Sequence, residues 1–442
     1  MKEYILILIA LLTFEGLAAQ NIHTGYHSNA FILKSSSNAS AFPESNLVIG
    51  LPTLSNLNFG LQLPFSLNEA LSKGADDSLR IDIPSLIDNL DDGEGLYMQA
   101  RAQLFFLGIK LGHEKNIFTY IGDELVSNVG AVVSGKLLDY LSRGNAYFLN
   151  QQMNFDSERF QATAYNSFYI GASFRPIDEL TIGARFKMLN GLANINTETF
   201  NLSFYTDSTS SPVYQTTLGA NMMLQTSIPG IAPDSLSFNP FLNKGFAVDF
   251  GLTYQATDEL EFSLAINDLG QINWAKQNTL NYSTNGQVNY LIDGLEMSSS
   301  DSEDNDLESQ VEEIVDDLSS VFSLSDSSTA YSTKLKSNLF FGAKYELTEQ
   351  HSFSFLFHSR DQISSRFNVF SLGYQLQASE SLEFLASYQN LNGISNIAAG
   401  FVICPGPVQM HVIVDNTLAA DVFDAKNFAI QLGLTFGFGI EK

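Results

Sequence analysis

The chain has 442 residues, of which 45% are hydrophobic and 12% aromatic, and its formal net charge is −26. A chain this acidic lacks the surplus of Lys and Arg that neutralises phosphates, which argues against a nucleic-acid-binding protein. Its one cysteine, Cys404, cannot form an internal disulfide, so a small disulfide-stapled secreted domain is excluded.

The first residues have the order of a secretory signal peptide. Lys2 precedes an apolar run from Tyr4 to Leu12, and small residues follow up to Ala19. This order predicts a signal peptide over residues 1–19, cut after Ala19. The apolar run is shorter than the about 20 residues that a transmembrane helix needs. We therefore expect an exported protein.

Apolar and polar residues alternate along many segments of the mature chain. From residue 96 to 104 the even positions are Leu, Met and Ala, while the odd ones are Tyr97, Gln99, Arg101 and Gln103. One face suits lipid and the other suits a wet lumen, as in a membrane-spanning strand tilted by about 45°. A soluble β-sandwich alternates in the same way, so alternation alone leaves both folds open.

Hairpins with tight polar turns recur along the chain. Four are clear: Tyr169–Met188, Phe246–Ile266, Leu339–Phe357 and Phe370–Tyr388. The connections on the opposite side are long, and outer-membrane barrels have the same asymmetry of short periplasmic turns and long outer loops.

These patterns predict fourteen strands, an even number that places both chain ends at the periplasmic side with the tight turns. Leu47–Leu51 either extends the first strand or forms another, which leaves sixteen open. The strands are predicted near residues 55–65, 96–111, 116–133, 160–175, 180–195, 244–256, 259–272, 334–347, 351–360, 367–377, 382–391, 396–404, 408–415 and 427–438.

The last strand favours the barrel over the sandwich. Gln431, Gly433, Phe436 and Phe438 have the spacing of the terminal signal by which outer-membrane barrels are recognised for insertion. At the edge of a soluble sheet, this strand would leave unpaired backbone and exposed Phe. We predict an all-β transmembrane antiparallel barrel over residues 46–442, located in the bacterial outer membrane. Its partners would be outer-membrane lipid, lipopolysaccharide and the barrel-assembly machinery.

Three stretches with helical spacing fall on the outer side: Ile81–Leu90, Lys136–Ser142 and Leu307–Phe322. They either pack as loops or form a lid over a ligand. Two long excursions, residues 196–243 and 273–333, could cap the barrel. Trp274 follows its strand at the outer end, where we expect it to anchor in the aromatic girdle at the membrane interface.

No motif for catalysis, cofactor binding or metal binding emerges. The six histidines lack metal-ligand spacing, and His23 and His27 lie in a segment that looks disordered. Asp301–Asp317 is rich in carboxylates, without Lys or Arg; a solvated loop face and a calcium or lipopolysaccharide site are its two interpretations. We expect a protein that is not an enzyme and that needs no cofactor.

Several segments resemble the FadL-like outer-membrane barrels, whose members include hydrophobic-compound transporters and PorV of the type IX secretion system, and most of all an uncharacterised barrel family of the Bacteroidota. The segments are LVIGLPTLSNLNFGLQLPFSLNE (47–69), DSLRIDI (77–83), 181–207, 243–274 and 412–439. The resemblance implies fourteen strands, helical outer loops and an amino-terminal plug, here residues 20–45. The wider group has an Asn-Pro-Ala element near the start, where this chain has Asn38, Ala39 and Ser40.

Three functions remain. The first is FadL-like passage of a hydrophobic small molecule, which predicts apolar residues that converge in the lumen or beneath the outer helices. The second is a non-catalytic partner barrel of an outer-membrane assembly such as type IX secretion, which predicts an exposed apolar or ordered outer surface. The third, an open porin, ranks lowest because fourteen strands leave little room once loops and a plug fold inward.

Substitution of Phe436 and Phe438 by Ala tests the insertion signal. We expect less folded barrel in the outer membrane because the assembly machinery would no longer recognise the terminal strand. Heat-modifiable migration on gels measures the folded fraction. Phe428→Ala, which removes a ring from the same strand outside the signal, is the control. Equal loss in both variants would contradict a signal at these positions.

Overall fold

The computed structural model describes residues 23–439 apart from 29, 31, 74–78, 91–94, 113, 211–214, 229–238, 285–287, 293–327, 364 and 417–423. The predicted signal peptide, the acidic run Asp301–Asp317 and the predicted helix Leu307–Phe322 lie outside the described residues. Among those described, no helix is both long and apolar enough to cross a bilayer.

Within the described residues, fourteen antiparallel strands close into a barrel. They are β1 (Leu47–Gly50 and Leu57–Gln62), β2 (Gly95–Leu111), β3 (Ile117–Val132), β4 (Arg159–Ile177), β5 (Leu180–Thr206), β6 (Lys244–Gln255), β7 (Leu260–Trp274), β8 (Tyr331–Lys334 and Asn338–Glu346), β9 (His351–Asp361), β10 (Arg366–Ser379), β11 (Leu382–Leu391), β12 (Ile394–Ile403), β13 (Val408–Asp415) and β14 (Asn427–Phe438). Each predicted strand corresponds to one of these, so the fourteen-strand prediction is confirmed.

The seam of the barrel joins its first and last strands. Leu47 of β1 lies opposite Phe438 of β14, and Gln62 lies opposite Asn427. Leu47–Gly50 is therefore the first half of β1 rather than an extra strand, which removes the sixteen-strand alternative. Closure leaves neither of these strands as a free edge.

The two faces of the wall differ in polarity. In β5, Arg185 and Lys187 are buried on the luminal face, whereas Phe186 and Met188 are exposed on the outer face. Soluble monomers rarely expose an apolar patch larger than a few hundred Å². An apolar belt around the whole wall therefore fits lipid contact. Its exposed side chains include Leu107, Leu125, Ile170, Phe186, Phe250, Leu264, Phe341, Phe353, Leu372, Phe384, Phe401, Met410 and Phe438.

The outer side carries more structure than the sequence predicted. β5 runs for 27 residues, or about 90 Å along the strand, against an apolar band of about 25 Å. Its outer half pairs with Thr216–Ser227, a part of the chain that we expected to be loop. Thr216–Ser227 pairs in turn with Leu280–Ser283 and Val288–Ile292. We call the outer half of β5 together with these three strands the outer sheet.

Short helices lie among the outer connections: α1 (Leu67–Ala70), α2 (Ile83–Asn89) and α3 (Gly135–Arg143). The predicted helical stretches Ile81–Leu90 and Lys136–Ser142 are confirmed by α2 and α3. Ser134 caps α3 by accepting a hydrogen bond from the Leu137 N–H at 3.2 Å. Tyr140 of α3 stacks on Phe204 of the outer sheet, with ring centroids 4.7 Å apart. The helix is thereby packed against that sheet.

The described residues of the segment 23–45 lie inside the lumen as a plug, the arrangement implied by the family resemblance. Its Asn38–Ser40 portion rests on two glycines, Gly183 of β5 and Gly251 of β6, which are directly opposite each other. A Cβ on Gly183 would lie 2.0 Å from the Ala39 carbonyl oxygen, and one on Gly251 would lie 2.1 Å from Asn38 Oδ1. This close approach therefore requires glycine at both positions.

The expected girdle position of Trp274 is wrong. Its side chain is fully buried on the luminal side, where Nε1 donates to Thr333 Oγ1 at 2.9 Å. The reason is a bulge at Asp268, which has a φ of 64° and shifts the register between β6 and β7. Before the bulge the even residues of β7 face lipid, and after it they face the lumen.

Gly251→Ala tests the glycine seat of the plug. The added methyl group would collide with Asn38, so we expect the plug to be displaced while the wall stays closed. Trypsin cleavage at Lys34, the only Lys or Arg in the segment 23–45, should become roughly tenfold faster because the plug opens more often. Ala184→Val, which adds bulk on the lipid face of β5 beside Gly183, is the control. Unchanged cleavage in Gly251→Ala would rule out the seat.

Candidate functional site

Six ionised side chains meet in the middle of the lumen, between the plug and the outer loops. We call them the charge layer: Arg101, Glu124, Arg185, Lys187, Asp249 and Asp268. Five of them are buried and Arg101 is nearly so. Three positive and three negative groups make the layer neutral.

Asp249 and Asp268 hold the layer together. Arg185 Nε and Lys187 Nζ lie 2.5 and 3.0 Å from Asp249 Oδ2. Lys187 Nζ also lies 2.5 Å from Asp268 Oδ1, and Arg101 lies 3.6 Å from Asp268 Oδ2. Removing charges from water is costly unless each finds a partner of opposite sign. The bulge at Asp268 provides such a partner, because it turns the carboxylate inward.

The plug is bonded directly to this region of the wall. Arg185 Nη2 donates to the Ser36 carbonyl oxygen at 3.2 Å, and Asn267 Nδ2 donates to that of Ser37 at 2.7 Å. Burial lowers the pKa of His27 to about 3, helped by nearby Lys34 and Lys344, so its imidazole is neutral near pH 7. His23 and His27, which we expected in a disordered segment, are instead buried parts of the plug.

An outer pocket lies on the outer side of the charge layer. Its walls are largely apolar, and its volume is about 50 Å³. A water molecule needs at least about 10–15 Å³ of such space, so the pocket has room for only a few waters. Sites that enclose small molecules usually span about 300–1,000 Å³. A ligand would therefore have to displace a lining side chain. The pocket is lined by Tyr97, Tyr165, Leu335, Lys336, Arg360 and Ile363, among others.

Ile363 and Arg360 give the outer pocket its character. Ile363 folds in from an outer connection, and a Cβ on Gly130 would lie 2.6 Å from its Cδ1. Arg360 is 6% exposed, and its Nη1 donates to Gln99 Oε1 at 2.9 Å. In the described part of the chain, no carboxylate forms an ion pair with Arg360. The pocket therefore combines largely apolar walls with a buried cation, Arg360, and Lys334, Lys336 and Asp361 also line it.

A second cavity, the periplasmic cavity, lies between the plug and the tight turns. It measures about 670 Å³ and its lining is predominantly polar, with Lys34, Glu44, Arg175, Glu261, Glu346 and Cys404 among the contributors. The plug and the charge layer lie between this cavity and the outer pocket. The lumen is thus divided into a small, largely apolar outer compartment and a larger polar inner one.

The predicted insertion-signal residues lie on two faces of β14. Gln431 Nε2 donates to Asn56 Oδ1 at 2.8 Å inside the lumen, and Gly433 is covered by the backbone of Ser55. Phe436 and Phe438 are stacked on the lipid-facing side with centroids 6.3 Å apart. The structure therefore does not bring the four residues together as a binding site, and their role in insertion stays a prediction.

Of the charge layer, only the luminal position of Arg101 was predicted from the sequence. A signal was present, because Arg185 and Lys187 alternate with Phe186 and Met188 in a segment assigned to a strand. Alternation could thus have placed both cations inside. Among the described side chains, no group of three His, Cys, Asp or Glu is arranged to hold a metal ion.

Comparison with known proteins gives one family match and several distant structural likenesses. The model of a family of unknown function, DUF5723, matches residues 40–415. No curated protein matches significantly.

Among solved structures, the chain is similar to the Ralstonia pickettii toluene transporter TbuX, with 10% identity, a TM-score of 0.41 and coverage of 96% of each chain. It is also similar to a Pseudomonas aeruginosa FadL homologue, with 9% identity, a TM-score of 0.44 and coverage of 96% of this chain and 99% of that one. At this distance, neither likeness says anything about ligand or mechanism.

Asp249→Asn tests the charge layer. It keeps the shape of the side chain but removes one negative charge facing Arg185 and Lys187, which should destabilise the barrel by about 3–5 kcal/mol. Urea unfolding in lipid vesicles, followed by the fluorescence of the single Trp274, measures the loss. Asp139→Asn, which breaks an exposed pair with Arg143 on α3, should leave the curve nearly unchanged. Equal stability of the two variants would show that the layer is not held by charge pairing.

Proposed function

Because the chain belongs to the DUF5723 family of unknown function, we propose its role from its own geometry: it is an outer-membrane barrel that passes a small, largely apolar molecule from the cell surface toward the periplasm. The apolar belt, the closed wall and the short turns at one end support the membrane location. In hydrocarbon, every backbone polar group of a sheet must be paired, and a closed barrel is the form that achieves this.

The observation that carries the proposal is the outer pocket. It lies above two barriers, the charge layer and the plug, so a ligand held there would have to pass both to reach the periplasm. An apolar ligand that displaces Ile363 gains contact with Tyr97, Tyr165 and Leu335. Burial of apolar area contributes about 25 cal/mol per Å². A polar end of the same ligand would meet Arg360.

For a ligand to pass from the outer pocket to the periplasm, both the charge layer and the plug must move. Arg185 belongs to the charge layer and also bonds the plug backbone at Ser36. Displacement of the plug therefore frees one donor of Arg185, while the remaining charges keep their partners. The proposed protein is a gated carrier of single molecules rather than an open pore.

The second candidate, a partner barrel in an outer-membrane assembly, has one observation in its favour. The outer sheet and α3 form an ordered surface beyond the membrane, where Leu141 and Tyr147 are exposed. Co-purification of the tagged chain from native membranes with a stoichiometric partner, lost in Tyr147→Asp, would favour this function.

Gly130→Leu tests the pocket. Because a Cβ there already meets Ile363 and Tyr97, the larger side chain should fill the space. We expect the affinity for a lipophilic fluorescent probe such as N-phenylnaphthylamine to fall at least about tenfold, equivalent to about 1.4 kcal/mol. Ala131→Leu, on the opposite face of β3, is the control. Equal binding by both variants would contradict a ligand site here.

Planar-bilayer recording separates the gated carrier from an open porin. The wild-type barrel should give no steady ohmic conductance, because the plug and the charge layer lie across the lumen. Gly251→Ala, which displaces the plug, should give brief openings at most, because the charge layer remains. A large steady conductance of the wild type would contradict the proposal.

A further inference from the structure

The amino-terminal end of the plug meets the barrel wall through His23. Its Nε2 lies 2.9 Å from Nδ1 of His358 on β9. Its other ring nitrogen, Nδ1, lies 3.8 Å from Oδ2 of Asp415 on β13. All three side chains are buried. We call His23, His358 and Asp415 the plug latch.

The protons of the latch follow from the charge layer. Asn338 Nδ2 donates to Asp268 Oδ2 at 3.2 Å and to the Lys336 carbonyl oxygen at 3.0 Å, which fixes the orientation of the amide. Asn338 Oδ1 therefore faces His358 Nε2, at 3.1 Å, and that nitrogen must carry a proton. A neutral His358 then has its lone pair on Nδ1. His23 Nε2 must donate to it.

This order of donors determines what faces Asp415. If His23 were neutral, Nδ1 would hold a lone pair aimed at a carboxylate oxygen, and two acceptors would face each other. Neither His23 Nδ1 nor Asp415 Oδ2 has a hydrogen-bond partner among the described residues. Asp415 Oδ1, by contrast, accepts from Thr24 Oγ1 at 3.1 Å and from Gln389 Nε2 at 3.2 Å.

Asp415 is also a buried carboxylate without a conventional counter-ion. Of the described Lys and Arg side chains, none forms an ion pair with it, and the basic side chain that lies within 4.0 Å of it is the imidazole of His23. A buried unpaired carboxylate is strongly unfavourable. One proton on His23 Nδ1 removes both problems, because it supplies the missing donor and the missing positive charge.

We propose that one proton held between His23 and Asp415 latches the plug to the wall, so that retention of the plug depends on pH. His23 is then an imidazolium that donates from Nε2 to His358 and forms an ion pair through Nδ1 with Asp415. The latch is closed while that proton is present and opens when rising pH removes it. Loss of the proton leaves two facing acceptors, which repel and free the amino-terminal end of the plug.

The elements around the latch carry other ionisable groups, and among the described residues His358 and Asp415 are the ionisable partners of His23. The others include His27 and Lys34 of the plug, Asp268 of β7, Arg360 of β9, Glu383 of β11 and His411 of β13. Of these, Glu383 accepts hydrogen bonds from the plug at Ser28 and at the Ala30 N–H. The pH response should therefore be tested with variants of the latch itself.

Asp415→Asn is the decisive variant. In this variant the amide oxygen of the asparagine still accepts the hydrogen bonds from Thr24 and Gln389. The amide nitrogen then takes the place of Oδ2 and presents an N–H to Nδ1 of a neutral His23. This variant should stay latched without the proton and therefore lose the pH dependence. His23→Ala should be unlatched at every pH.

Cys404 supplies the readout, because it packs on the same apolar cluster as Ala30 of the plug and also lines the periplasmic cavity. Its labelling by a charged methanethiosulfonate reagent is measured in the full-length folded barrel. Rates are compared between variants at the same pH, because the thiolate fraction changes with pH. At about pH 5.5 the wild type should label like Asp415→Asn, and at about pH 8.5 it should label roughly fivefold faster, like His23→Ala. Heat-modifiable migration confirms folding.

A constant ratio between wild type and Asp415→Asn across this range would overturn the proposal. So would a ratio that changes on adding EDTA, because a metal ion rather than a proton would then occupy the gap. Nitrogen-15 NMR of the histidines gives a direct check: His23 should be an imidazolium at low pH and the Nε2–H tautomer at high pH. The Nδ1–H tautomer at high pH would contradict the assigned order of donors.

Discussion

Pairing of the charges buried in the charge layer is the constraint from which the inner arrangement follows. Arg185 and Lys187 point inward because β5 alternates, and burial there is tolerable only with carboxylates at bonding distance. Asp249 provides one on β6, and the bulge at Asp268 provides a second on β7. The same layer holds the plug, because Arg185 donates a hydrogen bond to the backbone of Ser36. It also orients the amide of Asn338, which donates to Asp268 and thereby determines which nitrogen of His358 carries a proton.

Much of the wall could be predicted from the sequence. In a strand with one face toward the aqueous lumen and the other toward lipid, polar and apolar side chains alternate with a period of two. Tight polar turns marked one end of the hairpins, and the terminal Phe436 and Phe438 pointed to a closed barrel. The observed strand ends differ from the predicted ones mainly on the outer side of the barrel. There, β5 continues beyond the membrane and pairs with Thr216–Ser227, and the apolar face that defines a membrane strand is no longer required.

The candidate site was harder to predict, for reasons that lie in single residues. Asp268 adopts a left-handed backbone conformation and forms a one-residue bulge in β7. Beyond the bulge, the side chains of β7 that would have faced lipid face the lumen instead, which is why Trp274 was assigned to the wrong side. His23 and His27 lie in a polar segment without periodicity, since the plug is ordered by contacts with distant strands rather than by its own pattern. The glycine seat was hidden because Gly183 and Gly251 are far apart in sequence.

The seam between β1 and β14 has a consequence for how the molecule is assembled. The paired residues Leu47 and Phe438 are separated by nearly the whole chain, and the entropic cost of bringing two ends together rises with the length between them. The seam is therefore the strand pairing with the largest entropic cost of closure. The plug directly precedes β1 and is therefore tethered to a strand that forms one side of the seam. Once the wall is sealed, the plug can leave only through the periplasmic mouth, tethered by the strand that follows it.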